Sequence, residues 1–272
     1  MKYARVLTIA GSDSGGGAGI QADIKAISAT RGYAASAITA ITVQNTVGVS
    51  GVLNLPPDII QGQIKAVLDD IGADAVKIGM LGNSVTTLAV RDALSHYDIS
   101  NIVLDPVMVA TSGDRLLDEE AVDVLIHELA PLARVLTPNL PEAEILCGRS
   151  IASEDEFPEA ARLLSELVST NGHKVSVLMK AGHLHGSIVR DYFYNAEEDR
   201  ITELDSNRVE SPNTHGTGCT LSSAFASYLA QGYSLDDSAC KAKDYIAKAI
   251  ETGAAYTIGH GHGPVNHFWN LK

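Results

Sequence analysis
Cysteine is scarce in this chain, and the three present, Cys147, Cys219 and Cys240, are an odd number at wide and irregular spacing. They offer neither a disulfide framework nor a zinc pattern, so reduced thiols are expected. Positive charge is also in short supply: 20 Lys and Arg face 33 Asp and Glu over 272 residues, a net charge of −13. Such a balance favours solubility and argues against a general binder of nucleic acid or of anionic membranes. An anionic ligand has to be bound locally, against the overall field. Long apolar runs are missing too. Lys2 and Arg5 precede only the short stretch 6–10, which opens into Gly and Ser, so neither a signal peptide nor a membrane span is expected, and the cytoplasm is the expected compartment. With no internal repeat, low-complexity tract or linker, residues 1–272 read as one domain.

What the chain does contain is alternation. Apolar, β-branched runs at 5–10, 34–43, 75–78, 102–104, 135–136 and 175–179 predict strands. Between them, helix-period segments fall at 18–30, 57–71, 84–95, 118–130, 141–146, 155–170, 218–230 and 235–252, with 153–156 resembling a capping box. The order predicts a mainly parallel sheet covered by helices. Two strand-like pieces between Ser187 and Val209 flank the polar turn 195–199, which predicts an antiparallel hairpin at the sheet edge and hence a mixed sheet.

The most informative segment is 213–220, Asn-Thr-His-Gly-Thr-Gly-Cys-Thr, running straight into an apolar helix. Amides at a helix start lack intrahelical acceptors and sit at the positive end of the dipole, so a Gly-rich entry can close on an anion. The same field is expected to lower the pKa of Cys219 and make it a proton acceptor. Phosphoryl transfer is the chemistry this suggests. A second Gly-rich loop, 11–19, follows the first strand but has neither dinucleotide-fingerprint nor P-loop spacing. Alone it is equally suited to packing a helix on a sheet. Asp13 and Asp23, near the carboxyl end of that strand, add the polar groups a small ligand would use.

Gln44, in 42–46, carries one acceptor beside two donors, the complement of an aminopyrimidine edge, although a strand-end amide can also bond its own backbone. Asp105, Asn139 and Glu142 lie just past two short strands and are hard oxygen groups of the kind that hold hydrated Mg²⁺. Lys180 ends another strand and supplies a compact positive charge. Each has a bland use as turn residue, first-turn charge or surface lysine, but all are predicted at one edge of the sheet. Of nine histidines, the pairs His183/His185 and His260/His262 lack a third ligand at metal spacing, so they read as loop or core imidazoles. His215 differs in lying inside the anion loop.

Taken together, these segments resemble the hydroxymethylpyrimidine/phosphomethylpyrimidine kinases of thiamine biosynthesis, within the ribokinase-like superfamily. The likeness rests on A-G-S-D-S-G-G-G-A-G-I-Q-A-D at 10–23, T-V-Q-N-T at 42–46, V-K-I-G-M-L at 76–81, L-D-P-V-M-V-A-T-S-G-D-R-L-L at 104–117, T-P-N-L-P-E-A at 137–143, H-G-T-G-C-T-L-S-S-A at 215–224 and G-H-G-P-V-N-H-F-W at 261–269. It implies a three-layer α/β/α sandwich and a homodimer. The implied activity is phosphorylation, by ATP with Mg²⁺, of 4-amino-5-hydroxymethyl-2-methylpyrimidine and then of its monophosphate. By the family's pattern Gln44 pairs with the aminopyrimidine, Gly11, Ala18, Asp23, Met80 and Val107 surround the ring, and Asp105 and Glu142 hold the metal. Asn139, Lys180, Thr217 and Gly218 meet the nucleotide, while Gly216, Thr217 and Gly218 form the anion hole. Most sugar and nucleoside kinases of the superfamily have an aspartate base where this chain has Cys219, and the cysteine is the pyrimidine kinases' pattern. Gly15 departs from the serine more usual there. A pyridoxine or pyridoxal kinase, and a non-catalytic pyrimidine sensor, are the alternatives.

Overall fold
The computed structural model describes residues 3–108, 119–170, 172–182 and 186–271. The last part of the 104–117 block, the start of the helix expected at 118–130, and the pair His183/His185 lie outside them. Strand β1 (Arg5–Ala10) leads through the Gly-rich loop into α1 (Gly19–Ala29) and β2 (Tyr33–Ile38), which pairs with β1 in parallel. Next come β3 (Ala40–Gln44), β4 (Val49–Asn54), α2 (Pro57–Asp70), β5 (Ala75–Ile78), α3 (Ser84–Leu94), β6 (Ile102–Leu104) and α4 (Glu119–Val124). The chain continues with β7 (Val135–Leu136), α5 (Leu140–Cys147), α6 (Phe157–Val168), β8 (Ser176–Met179), β9 (Ile188–Asn195), β10 (Arg200–Asn207), α7 (Thr217–Ala230) and α8 (Leu235–Gly253).

Eight strands form one sheet in the order β10-β9-β8-β7-β6-β5-β1-β2. It is parallel from β2 to β8, and the β9–β10 hairpin adds two antiparallel strands at one edge. Strands β5 to β8 are buried at every position, because apolar clusters cover both faces. Ile60, Ile64, Val90, Phe157 and Leu164 from α2, α3 and α6 pack one face; Ile27, Leu221, Phe225 and Tyr245 from α1, α7 and α8 pack the other. The result is three layers with every parallel strand pointing its carboxyl end the same way. Loops at that end therefore converge.

The strand expected over 34–43 is two strands. At Thr39 the chain leaves the main sheet: its amide donates to Ala10 O and its hydroxyl to Met80 O, which turns the backbone away from β1. Strand β3 then pairs antiparallel with β4, a strand not expected from the sequence, in a separate two-stranded sheet with a register shift at Val43/Gln44. The helix expected over 118–130 is interrupted: α4 passes into a π-turn at Leu125–Leu129 and a 3-10 turn at Ala130–Leu132, where Pro131 ends regular helix. No capping box forms at 153–156. The Ser153 side chain caps nothing, and Glu156 is drawn instead to Arg149 at 3.0 Å and to the Ala152 amide at 3.0 Å.

Candidate active site
The loops after β1, β5, β6, β7 and β8 and the start of α7 enclose a cavity of about 610 Å³. Its floor begins with the Gly-rich loop. Asp13 ties that loop into a tight coil: Oδ1 accepts from the Gly15 amide at 2.7 Å, and Oδ2 from the amides of Gly17 at 2.9 Å and Ala18 at 2.8 Å. His215 Nε2 lies 2.9 Å from the same Oδ2. Burial opposes the charge on Asp13, but the hydrogen bonds from His215, Ala18 and Gly15 outweigh it and hold the carboxyl below its usual range. The coil packs directly on the start of α7. Gly216 takes a left-handed φ of 78°, and any side chain there would run into Gly17 O.

From Gly216 the backbone enters α7 with the Gly218 and Cys219 amides donating to no acceptor among the described residues, while Thr217 N makes only a long 3.3 Å bond to Thr214 O. The helix start faces a charged cluster. A side chain on Gly218 would come within 3.2 Å of Lys180 Nζ and 3.5 Å of Asp105 Oδ2. Lys180 Nζ donates to Asp105 Oδ1 at 2.7 Å and lies 3.9 Å from Glu142 Oε2. Thr137 Oγ1 donates to Asp105 Oδ1 at 3.0 Å, and Ser222 Oγ lies 3.2 Å from Oδ2. Burial disfavours charge on Asp105, yet Lys180 and Lys77 hold its carboxyl below the ordinary range. Glu142 is pushed up to about 7, chiefly by burial and then by the Asp105 charge, against the pull of Lys180. For Lys180 the order is reversed: burial works against the ammonium, but Asp105 and Glu142 raise it above its usual value.

Two expectations, for Cys219 and Asp23, are corrected by this geometry, and Asn139 gains a structural part. Cys219 keeps part of its surface toward the cavity, but desolvation dominates and pushes the thiol up to about 11; Lys77 and the Gly19 amide oppose the rise without reversing it. The helix-start field does not yield a low-pKa thiol. Asp23 is absent from the cavity wall. It lies one layer beneath, fully buried, with its carboxylate 2.9 Å from Lys77 Nζ and accepting from Thr8 Oγ1 at 2.6 Å and Ser223 Oγ at 2.7 Å. Asn139 does line the cavity, but its side-chain oxygen accepts from the Glu142 amide at 2.9 Å while Glu142 Oε2 accepts from Asn139 N at 2.8 Å. That is a capping box at the start of α5, which engages Asn139 Oδ1 and Glu142 Oε2 alike and holds both residues at the cavity wall.

Gln44, Gly11, Ala18, Met80 and Val107 line the same cavity as Asp105, Glu142, Lys180 and the 216–219 turn. A side chain at Gly11 would meet the Met80 methyl group, so the two residues share the space on this wall. A family model described as phosphomethylpyrimidine kinase matches residues 13–266. The chain belongs to the phosphomethylpyrimidine kinase family. It is 48% identical over 262 residues to the hydroxymethylpyrimidine/phosphomethylpyrimidine kinase of Rhizobium meliloti (strain 1021), covering 96% of each chain. Among solved structures, the phosphomethylpyrimidine kinase of Clostridium difficile 630 is 42% identical with a TM-score of 0.79, over 92% of this chain and 100% of the other. An ADP complex of Bacillus subtilis pyridoxal kinase is 34% identical with a TM-score of 0.89, over the full length of both chains. The parallel sheet with its edge hairpin is accordingly the ribokinase-like sandwich.

Outside the motif blocks, Val189, Asp191, Arg208, Lys243, Ile246 and Ile250 also line the cavity. Lys243 Nζ donates to Asp191 Oδ2 at 2.8 Å, both side chains being buried. These two residues were not expected at the site. They come from β9 and α8, 52 positions apart, and no local pattern links them. His215, singled out from sequence by its place in the anion loop, turns inward to Asp13 rather than to solvent.

Proposed function
We propose that the chain transfers the γ-phosphoryl group of ATP to the hydroxymethyl group of 4-amino-5-hydroxymethyl-2-methylpyrimidine, and then phosphorylates the monophosphate to the diphosphate, in thiamine biosynthesis. The observation that carries this reading is one continuous cavity: the Gln44 carboxamide and the Asp105–Lys180–Glu142 cluster share it with the free amides of Gly218 and Cys219. Gln44 presents a donor beside an acceptor to the amino and ring-nitrogen edge, with Met80, Val107, Gly11 and Ala18 against the ring. In the transfer, the hydroxyl oxygen bonds to the γ-phosphorus as the bond to the β-phosphate oxygen breaks, ADP leaves, and the hydroxyl proton passes to an oxygen of the transferred phosphoryl group while the Cys219 thiol, itself protonated, positions the hydroxyl. The amides of Gly218 and Cys219 meet charge on the transferring group. Lys180 and Thr217 complete the phosphate surroundings.

Asp105 and Glu142 suit Mg²⁺. The pair carries one more carboxylate than Lys180 balances, in a place where burial first, and then the Asp105 charge, raises the Glu142 pKa. Among the described residues no three His, Cys, Asp or Glu side chains converge, so the remaining ligands would be phosphate oxygens and water, as this ion prefers. When bound, it neutralises triphosphate charge.

The pyridoxal kinase reading is the second one, supported by the TM-score of 0.89 to the Bacillus subtilis enzyme. A steady-state comparison of hydroxymethylpyrimidine, its monophosphate and pyridoxal with Mg-ATP separates them. Turnover of both pyrimidines is expected; turnover of pyridoxal alone would replace the assignment, and turnover of none would leave the sensor reading.

Two further parts of the proposal concern setting. No described helix is long and apolar enough to cross a membrane, and the three cysteines are unpaired, which suits the cytoplasm. The β3–β4 sheet exposes Ile41, Val43, Val52 and Leu53, a surface that a second copy of the chain would cover in a homodimer. Light scattering at micromolar concentration should return twice the chain mass, and Val43→Lys should shift it toward one; a monomeric wild type would end the dimer proposal.

A further inference from the structure
The Gly-rich block at 261–269 takes no part in the transfer described above, yet its course brings two walls of the cavity together. After α8 the chain is anchored at Asn213, a buried residue whose side-chain amide donates to Gly253 O at 2.8 Å and to Tyr256 O at 2.7 Å. It then runs outward to the turn that follows Gln44. There Gly261 N donates to Thr46 Oγ1 at 3.2 Å and His262 N to Thr46 O at 2.8 Å. The next residue already meets the anion loop: Gly263 O accepts from His215 N at 3.0 Å, and Pro264 pairs with His215 in a β-bridge. Two consecutive residues, His262 and Gly263, therefore join the Gln44 turn to the loop that leads into α7.

Burial of apolar surface does not explain this course, because residues 255–262 are all exposed, Ile258 by 47%. A need for fixed position does. Gln44 ends β3, which lies outside the eight-stranded sheet and shifts register against β4 at Val43/Gln44, so no ladder to the main sheet places it. Its turn is held to the body by Ser14 on one side and by the C-terminal segment on the other. Gln44 N donates to Ser14 Oγ at 2.8 Å, and Ser14 Oγ donates to Gln44 O at 2.7 Å. Gly261 makes the second attachment possible: any side chain there would run into Thr46 O, so the two backbones meet only because this residue has none. We propose that segment 261–263 is a clasp, with Gly261 as its positioning residue, that sets Gln44 against the anion loop and so places the acceptor ring for transfer. This rests on the pyrimidine kinase reading. A misplacement of about 1 Å in a positioning contact is already costly. Because Gln44 meets the ring in ground state and transition state alike, the loss falls on KM and not on kcat.

The test is a double-mutant cycle read by steady-state kinetics, with Gly261→Ala, Gln44→Ala and the two combined. Gly261→Ala should raise KM for 4-amino-5-hydroxymethyl-2-methylpyrimidine by about tenfold, with kcat and the KM for Mg-ATP within about twofold of wild type. In the Gln44→Ala background the same substitution should add nothing, because a clasp that acts through Gln44 has nothing left to place. An unchanged pyrimidine KM in Gly261→Ala overturns the inference. So does a rise that recurs in the Gln44→Ala background or is matched by Mg-ATP, either of which would mark a general loosening of the C-terminal segment. Thr46→Ala, which removes the Oγ1 acceptor, replaces Gly261→Ala in the same cycle if that variant does not fold, with a rise of about threefold expected and an unchanged KM again decisive against the clasp. If Gln44→Ala itself leaves the pyrimidine KM unchanged, the recognition edge is wrong and the clasp falls with it. A wild type that turns over neither pyrimidine overturns the proposed function, and this inference too, before any variant is read.

Discussion

Cys219→Ala should still bind the pyrimidine with near wild-type affinity while kcat falls by about 10², the order of loss when a reacting group is misplaced. The thiol lines the cavity from the start of α7, a different element from those that carry Gln44, Met80 and Val107, so its removal leaves the proposed ring contacts in place. Its protonation state gives the prediction a second arm. With the thiol pushed up to about 11, it is neutral across the physiological range. A mechanism needing preformed thiolate would make log kcat climb by about one unit per pH unit below that value, because the thiolate fraction rises tenfold per unit. A neutral thiol that only positions the hydroxyl requires no such climb. A flat wild-type kcat between about pH 7 and 9 is therefore expected. Wild-type turnover in the variant would remove the thiol from the mechanism.

Lys180→Met should have the largest effect on stability, about 3–5 kcal/mol in urea denaturation, together with loss of nearly all turnover. Asp105 is 1% exposed and Lys180 13%, so deleting the ammonium leaves a carboxylate with little access to water and a second carboxylate near it. Stability and catalysis can be separated. Lys180→Met combined with Asp105→Asn removes both charges of the short pair and should recover most of the stability without recovering turnover. If Lys180→Met alone unfolds at the wild-type urea concentration, the ion pair is not structural.

The layered fold was legible because strands buried on both faces are short apolar runs, such as 75–78 and 102–104, and the helices between them are long and periodic. Strand β4 was not: Ser50, Gly51 and Asn54 interrupt it, and most of it is exposed, so it has little apolar pattern to show. The kink at Thr39 depends on bonds to Ala10 and Met80, which a local reading does not contain. Residue types at the site were readable from loops at strand ends, but depth was not. Asp23 and Gln44 look equally polar in sequence, and only packing puts one beneath the cavity and the other on its wall. The Cys219 shift illustrates competing effects: a helix start lowers a thiol pKa and burial raises it, and which wins is set by the atoms around it. That Asn139 also caps α5 is a second part for the same residue, which its place after a short strand did not reveal.

The pair of Asp23 and Lys77 bears on how the molecule assembles. The partners of Asp23, which are Thr8, Lys77 and Ser223, come from β1, β5 and α7, and Ser223 is 200 positions from Asp23. Charges of opposite sign that are fully removed from water are tolerable only together and with their hydrogen bonds made. Long-range closures of this kind come late, after the entropy of a large loop has been overcome. The layer under the cavity thus sets only when the C-terminal third has been synthesised and docked, and an emerging chain holds every loop of the site before it holds the site.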